Sequence, residues 1–360
     1  MSEKFIWVPD EDQSYGHQHG SQTITPSSSF DKNIGFTFKM DAGENTLTLN
    51  TDNTNSIKAH DIHWPRPSIP VELKEQYEIV YKAENTDKTL GETINISSGN
   101  LIISGSQEKP VNFHLNSQIT DRYRIKLQNS STLAIAKANT VRISGPKNRT
   151  LKPEESAVAI SGLSHLTVEA SVEIQQENEV IKGNISLECD FSITESSKAM
   201  LKSHLVNIYN SNIILQDNAQ MLISSQILNI RTDLDEQGQP LFYTNFTLKA
   251  GATLLNLNSP NGTDFPLDIH REDYPKGVFN FMAEGKENTG KVVIDVAPKD
   301  ANAYGLNTML RKNFIAINGA VVETGDQMKY FDFSYGKDTR NDNQVGTIII
   351  SLRNPHLKLS

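Results

Sequence analysis

The chain has one cysteine, two tryptophans and no run of about 18 apolar residues, the length a helix needs to cross a bilayer. The single thiol, Cys189, forms no internal disulfide and supplies no multi-cysteine zinc site. In ISLECDFSI it alternates with Ile185, Leu187, Phe191 and Ile193, the pattern of a packed core side chain rather than a catalytic thiol. Positive charge is also short. The 34 Lys and Arg against 43 Asp and Glu give a net charge of -9, so nothing drives the chain toward nucleic acid irrespective of sequence. Dinucleotide fingerprint, P-loop and nucleophile elbow are absent, and no cofactor or metal site is expected from motifs. Residues 1–20 lack the basic start and apolar core of a secretory signal.

What fills the 360 residues instead is uncharged polarity. Only 37% are hydrophobic and the mean hydropathy is -0.44, yet the charged fraction is an ordinary 21%. Asn, Ser and Thr make up the difference, with Ile, Val and Leu recurring throughout, so the composition is not that of a disordered chain.

Helical periodicity is scarce. The one candidate is VELKEQYEIVYKAEN, where Leu73, Tyr77, Val80 and Tyr81 share a helical stripe, although Tyr77, Ile79 and Tyr81 also alternate as in a strand. Between residues 93 and 258 apolar pairs spaced i, i+2 recur at short intervals, each a minimal strand with two side chains on one face. A longer period lies over them. Advancing 22 positions from Phe191, Ile193, Ala199, Leu201, Val206 and Ile208 reaches Ile213, Leu215, Met221, Ile223, Leu228 and Ile230. Advancing 33 from Ile213, Leu215 and Met221 reaches Phe246, Leu248 and Leu254, with TDLDEQGQPLF as the insertion. Three short strands per repeat of about 22 residues predict an all-β, three-sheet parallel β-solenoid. A β-sandwich is the alternative, but it would show longer strands and no such repeat.

The expected organisation is an N-terminal region and cap over 1–92, the solenoid over 93–277, and last coils with a C-terminal β cap over 278–360. Both tryptophans fall in the first region, where GFTFKMDAGENTLTLNTDN reads as an antiparallel hairpin. Caps are required because the ends of such a stack expose unpaired strand edges.

The segments STLAIAKANTVRISG, SNIILQDNAQMLISS and NFTLKAGATLLNLN resemble right-handed parallel β-helix proteins of the pectate-lyase-like kind, and most of all the passenger regions of bacterial autotransporter adhesins. The segment from GKVVIDV to NFIAINGAVV is similar to the part that closes such passengers. The resemblance implies a right-handed β-helix and, as function, a non-enzymatic surface or adhesive module that binds glycans or proteins outside the cell. On the sequence as given, neither a leader nor a membrane barrel after Ser360 is expected, a departure from that plan.

The candidate binding patch is Glu188, Asp190, Asn210 and Asn212. The two acids alternate on one strand face, and the two amides follow 22 residues on, an arrangement suited to glycan or cation contact. The enzyme alternative, a polysaccharide lyase or hydrolase with an acidic site on an outer sheet, lacks a basic residue at the stacked positions. A third reading is a phage- or secretion-system-derived component assembling through its caps. Asp233, Asp235 and Gly238 resemble the start of a calcium loop, but Thr244 stands where its closing acid belongs. His17 with His19, or His60 with His63, supply two metal ligands each and no evident third, so surface-loop histidines are the simpler reading. The acidic run at 10–12 reads as a partner-binding tail or as part of the N-terminal cap.

Overall fold

In the strand Lys198–Tyr209, buried Ala199, Leu201, Val206 and Ile208 alternate with polar residues, and the same alternation runs through Gln220–Arg231 with Met221, Ile223, Leu228 and Ile230. These two strands pair in parallel, Ala199 with Met221 and Ile208 with Ile230, while Phe191 pairs with Ile213 and Ile193 with Leu215. All six apolar positions related by 22 residues are thus in-register neighbours, in two adjacent parallel strand pairs. In the computed structural model, which describes residues 2–26, 29–33, 35–52, 60–64, 93–116, 125–145, 156–176, 179–238, 244–271 and 273–359, this pairing recurs to give an all-β chain with one large, mostly parallel, solenoid-like sheet. The candidate helix over VELKEQYEIVYKAEN lies outside the described residues.

Three series of strands run through the sheet. The long series starts at Phe38–Asn50 and passes through Ile94–Ser104, Ile125–Ala136, His165–Ala170, Lys198–Tyr209, Gln220–Arg231 and Leu254–Asn258 to Lys291–Val296. A second runs Asp61–Trp64, Val111–Asn116, Ala138–Ser144, Asn184–Glu188 and then the latter half of Lys198–Tyr209. A third runs Val158–Ile160, Phe191–Ile193, Asn212–Leu215, Asn245–Leu248, Phe279–Phe281 and Ile315–Ile317. Ala199/Leu201 and Val206/Ile208, read from sequence as separate strands, belong to one long strand.

The 22-residue advance is local. In-register partners such as Ser131 and Ser164, Glu169 and Lys202, or Thr247 and Asn280 are 33 residues apart. The added residues leave the ladder as excursions, for example the antiparallel hairpin of Ile174–Gln176 with Glu179–Ile181, and so do not disturb the core pairing. The 33-residue advance also fails at its third position: Met221 pairs with buried Leu255, not Leu254. One extra residue in the turn containing Gly251 shifts the register, and a one-residue shift turns Leu254 away from the core.

One corner shows how the repeats are held in step. Asn129, Gly162, Glu195, Asp217 and Gly251 occupy successive repeats and all have positive φ. Leu163 N donates to Asn129 O, Ser196 N to Gly162 O (3.1 Å) and Asn218 N to Glu195 O (2.7 Å). At Gly162 a Cβ would lie 2.4 Å from Asn129 O, so the close approach requires glycine.

The parallel sheet begins within residues 1–92. Phe38–Asn50 is a single strand bent by a bulge near Asp41–Thr46, not the antiparallel hairpin expected; it pairs in parallel with Ile94–Ser104 on one side and with the short strands Gln13–Gly16 and Gln22–Ile24 on the other. A partner strand on both sides uses its hydrogen bonds, leaving no call for a local hairpin. Phe5, Trp7, Phe30, Phe38 and Trp64 fill the core at this end, with Trp7 stacked 6.0 Å from Trp64. The indole N–H groups donate to Asp31 O (2.7 Å) and Phe30 O (2.8 Å). Lys32 is fully buried over the Trp7 ring and donates to Val8 O, Glu11 O and Gln13 Oε1. Burial pulls its ammonium down to about 8, against the opposing charges of Asp12, Glu11 and Asp10. The acidic run at 10–12 stays exposed and is held against this end, with Asn33 Nδ2 donating to Asp10 Oδ1 and Thr37 N to Asp12 Oδ1 (2.8 Å).

At the far end the parallel order stops. Asn343–Leu352 covers Lys291–Val296 in antiparallel pairing and forms a hairpin with Phe331–Arg340, whose Arg340 binds Asp295, Asn258 and Ser259 O. A helix over Ala303–Arg311, unannounced by the sequence pattern, is capped by the Asn302 side chain accepting from Tyr304 N and Gly305 N.

Candidate functional site

Between the buried rows of the second series, one outward column runs in register through His63, His114, Arg142, Ser186, Asn207 and Asn229. Its later members are linked: Asn207 Nδ2 donates to Asn184 Oδ1 (3.0 Å), Asn229 Nδ2 to Asn207 Oδ1 (3.0 Å), and Arg271 Nη1 to Asn229 Oδ1 (2.7 Å). Arg271 also forks onto Asp273 through Nε and Nη2, and its guanidinium lies 5.2 Å from the Tyr274 ring centre.

The column ends beside an open cavity of about 910 Å³ lined by Tyr209, Arg231, Asp233, Asp273, Tyr274 and Lys276, among others. Hydrogen bonds within the protein set its geometry. The Tyr209 hydroxyl donates to Asp233 Oδ1, Asn210 Nδ2 donates to Asp233 Oδ2 (2.8 Å), and Asp233 N donates back to Asn210 Oδ1 (2.7 Å). Asn210 reaches this position in the left-handed region, at φ 49°. The hydrogen bond to Asp233 raises the Tyr209 phenol, and burial raises the Tyr274 phenol, whose hydroxyl donates to Leu228 O (3.1 Å). The hydrogen bond from Arg271 holds the Asp273 carboxyl below the usual carboxylate range. Phenols, carboxylates and the exposed Arg231 and Lys276 thus line one concave surface.

The four residues singled out in sequence do not share one outward face: Asp190, Asn210 and Asn212 are buried and Glu188 is not. Glu188 is half-buried and lies 3.5 Å from Arg142, a basic partner that comes from the preceding repeat. Asn210 reaches the cavity through Asp233. Asp190 and Asn212 are buried at a corner, where Asn212 N donates to Asp190 Oδ1 (3.0 Å) and Asn212 Oδ1 accepts from Thr247 (3.2 Å). The strand ends at Glu188, so the bend through buried Cys189 takes Asp190 off the outward face that strict alternation assigned to it. Asp233 and Asp235 do not share a loop site: Asp233 belongs to the Tyr209 cluster, and Asp235 accepts from Gln237 N (2.9 Å).

A second cluster was missed. Asp61 and His63 project from one strand and His114 from its parallel neighbour, opposite His63. One ligand atom from each lies within 4.8 Å of the others. His114 Nε2 is 3.4 Å from Asp61 Oδ1, and the rings of His63 and His114 stack at 4.8 Å and 11°. Behind them Asp31 is buried; its Oδ1 accepts from His63 N (2.7 Å) and lies 3.6 Å from His63 Nδ1. The hydrogen bond with His114 holds the Asp61 carboxyl low. Burial alone would raise Asp31, but hydrogen bonds from His63 and Ser29 outweigh it and hold it low too. His114 is 51 residues beyond His63, a spacing that pairs Ile62 with Phe113 and Trp64 with Leu115; aligning those apolar pairs was the available signal. His19, by contrast, is a core histidine stacked 4.7 Å from Tyr15.

No protein-family model, curated protein or solved structure matches the chain.

Proposed function

We propose that the chain is a right-handed parallel β-helix working as a non-enzymatic surface or adhesive module that binds a glycan in the Tyr209–Asp233 groove. The parallel pairing at recurrent advances supports the architecture. The observation that carries the binding reading is the pre-set hydrogen bonding of Asp233 by Tyr209 and Asn210 inside an open cavity. Sugars present hydroxyls in fixed directions, and carboxylate, phenol and guanidinium groups held in place match them without an ordering cost at binding. Arg231 and Lys276 add cationic contacts that favour a glycan bearing carboxylates or sulfates.

The test is a glycan-array screen of the whole chain, followed by titration calorimetry on the hits with R231A and K276A, alongside assays for oligosaccharide release. Saturable binding of an acidic glycan, weakened in both variants and without release of products, supports the reading. Product release establishes the lyase or hydrolase alternative instead. Binding untouched by either substitution removes the groove as the site.

A further inference from the structure

We propose that Asp61, His63 and His114 form a transition-metal site of the zinc class on the outer face of two neighbouring strands, Asp61–Trp64 and Val111–Asn116, with Asp31 orienting His63 from behind. The proposal is independent of the glycan reading, because the cluster and the groove lie at different points of the sheet. Two imidazoles and one carboxylate are the donor set of zinc and its neighbours, whereas calcium and magnesium prefer oxygen alone. Three donors leave a fourth position for water or an exogenous ligand. The parallel register fixes the donors on one face, since His63 and His114 are paired and Asp61 precedes His63 by two. All three side chains are only partly buried, at 24 to 44% exposure, so the rings have room to rotate out of their stacked arrangement, 4.8 Å apart, and turn their nitrogens toward one ion. Asp31 supplies what metal-bound histidines usually have: a carboxylate at the other ring nitrogen. With Oδ1 3.6 Å from His63 Nδ1 and fixed by His63 N, it leaves Nε2 as the ligating atom. An ion held there ties the strand Asp61–Trp64 to Val111–Asn116, and so two successive repeats to each other.

The test uses the full chain stripped with chelator and titrated calorimetrically with Zn²⁺, with Co²⁺ as an absorption probe and Ca²⁺ as the hard-ion control. The expected result is one equivalent of Zn²⁺, a cobalt d–d spectrum with mixed nitrogen and oxygen donors, and no calorimetric signal for Ca²⁺. H114A and the isosteric D61N should each weaken Zn²⁺ binding by about tenfold or more, and H17A should not. Zn²⁺ should raise the melting temperature of the wild type and leave that of H114A unchanged. No saturable Zn²⁺ binding, Ca²⁺ binding as tight as Zn²⁺, or Zn²⁺ affinity unchanged in both H114A and D61N would overturn the proposal. Since D61N preserves shape, a folding defect in H114A leaves the test intact.

Discussion

The Tyr209 hydroxyl donates to one oxygen of Asp233 while the Asn210 amide donates to the other. Tyr209 ends a long strand, Asn210 follows it, and Asp233 lies in the insertion after Gln220–Arg231, so the contact fixes a loop to the sheet rim. Hydrogen bonds to a charged group contribute about 1.5–3 kcal/mol, and pairs in direct contact are not additive. A double-mutant cycle with Y209F and D233N, read by urea denaturation, should give a coupling of about 1 kcal/mol or more. Additive effects would mean that the pair does not hold the loop.

The left-handed corner predicts a contrast between two glycines. Gly162 has φ 73° with Asn129 backbone atoms where a Cβ would sit, whereas Gly238 has φ 74° and open space. G238A should cost about 1 kcal/mol, the ordinary penalty for a left-handed alanine. G162A should cost clearly more, above about 2 kcal/mol, because the backbone of the neighbouring repeat has to move. Chemical denaturation of the two variants side by side checks the order.

Much of this fold could be read in advance, for a physical reason. Phe191 to Ile208 and Ile213 to Ile230 keep one spacing because nothing is inserted between them, and their parallel pairing follows. Where excursions intervene, as before Asn184 or between Arg231 and Asn245, spacing in sequence no longer reports spacing in the ladder. The Glu188, Asp190, Asn210 and Asn212 group failed to gather on one face for a related reason: alternation holds only within a strand, and Asp190 lies past its end. His63 and His114 were separated by a long stretch of chain that sequence proximity cannot bridge, though the flanking Ile62 and Phe113 rows would have aligned them.

Tyr274 gives the alkaline behaviour a sign. Burial raises its phenol above the ordinary value of 10.0, so the folded state holds the proton longer than the unfolded state does. Its contribution is fully present below pH 10 and is lost as pH rises through the higher folded value. Y274F should lose about 1 kcal/mol near neutrality, from the hydrogen bond to Leu228 O, and show a shallower decline in stability above pH 10 than the wild type. Urea midpoints measured across that range test both parts.

Lys32 is a polar centre of the N-terminal end, its ammonium shared among Val8 O, Glu11 O and Gln13 Oε1. K32M keeps the aliphatic stem against Trp7 but strands those acceptors, and should destabilise the chain by about 2–3 kcal/mol. Tryptophan fluorescence during unfolding reports on this end directly, because Trp7 and Trp64 both lie in it.

The central claim, a glycan groove at the end of the outward column, is met most directly by hydrogen–deuterium exchange on the whole chain with and without an array-identified oligosaccharide. The account predicts protection of amides around Tyr209, Arg231–Leu234 and Asp273–Gly277, with little change elsewhere among the described strands. Protection centred on another face, with these segments exchanging as in the free protein, would contradict it.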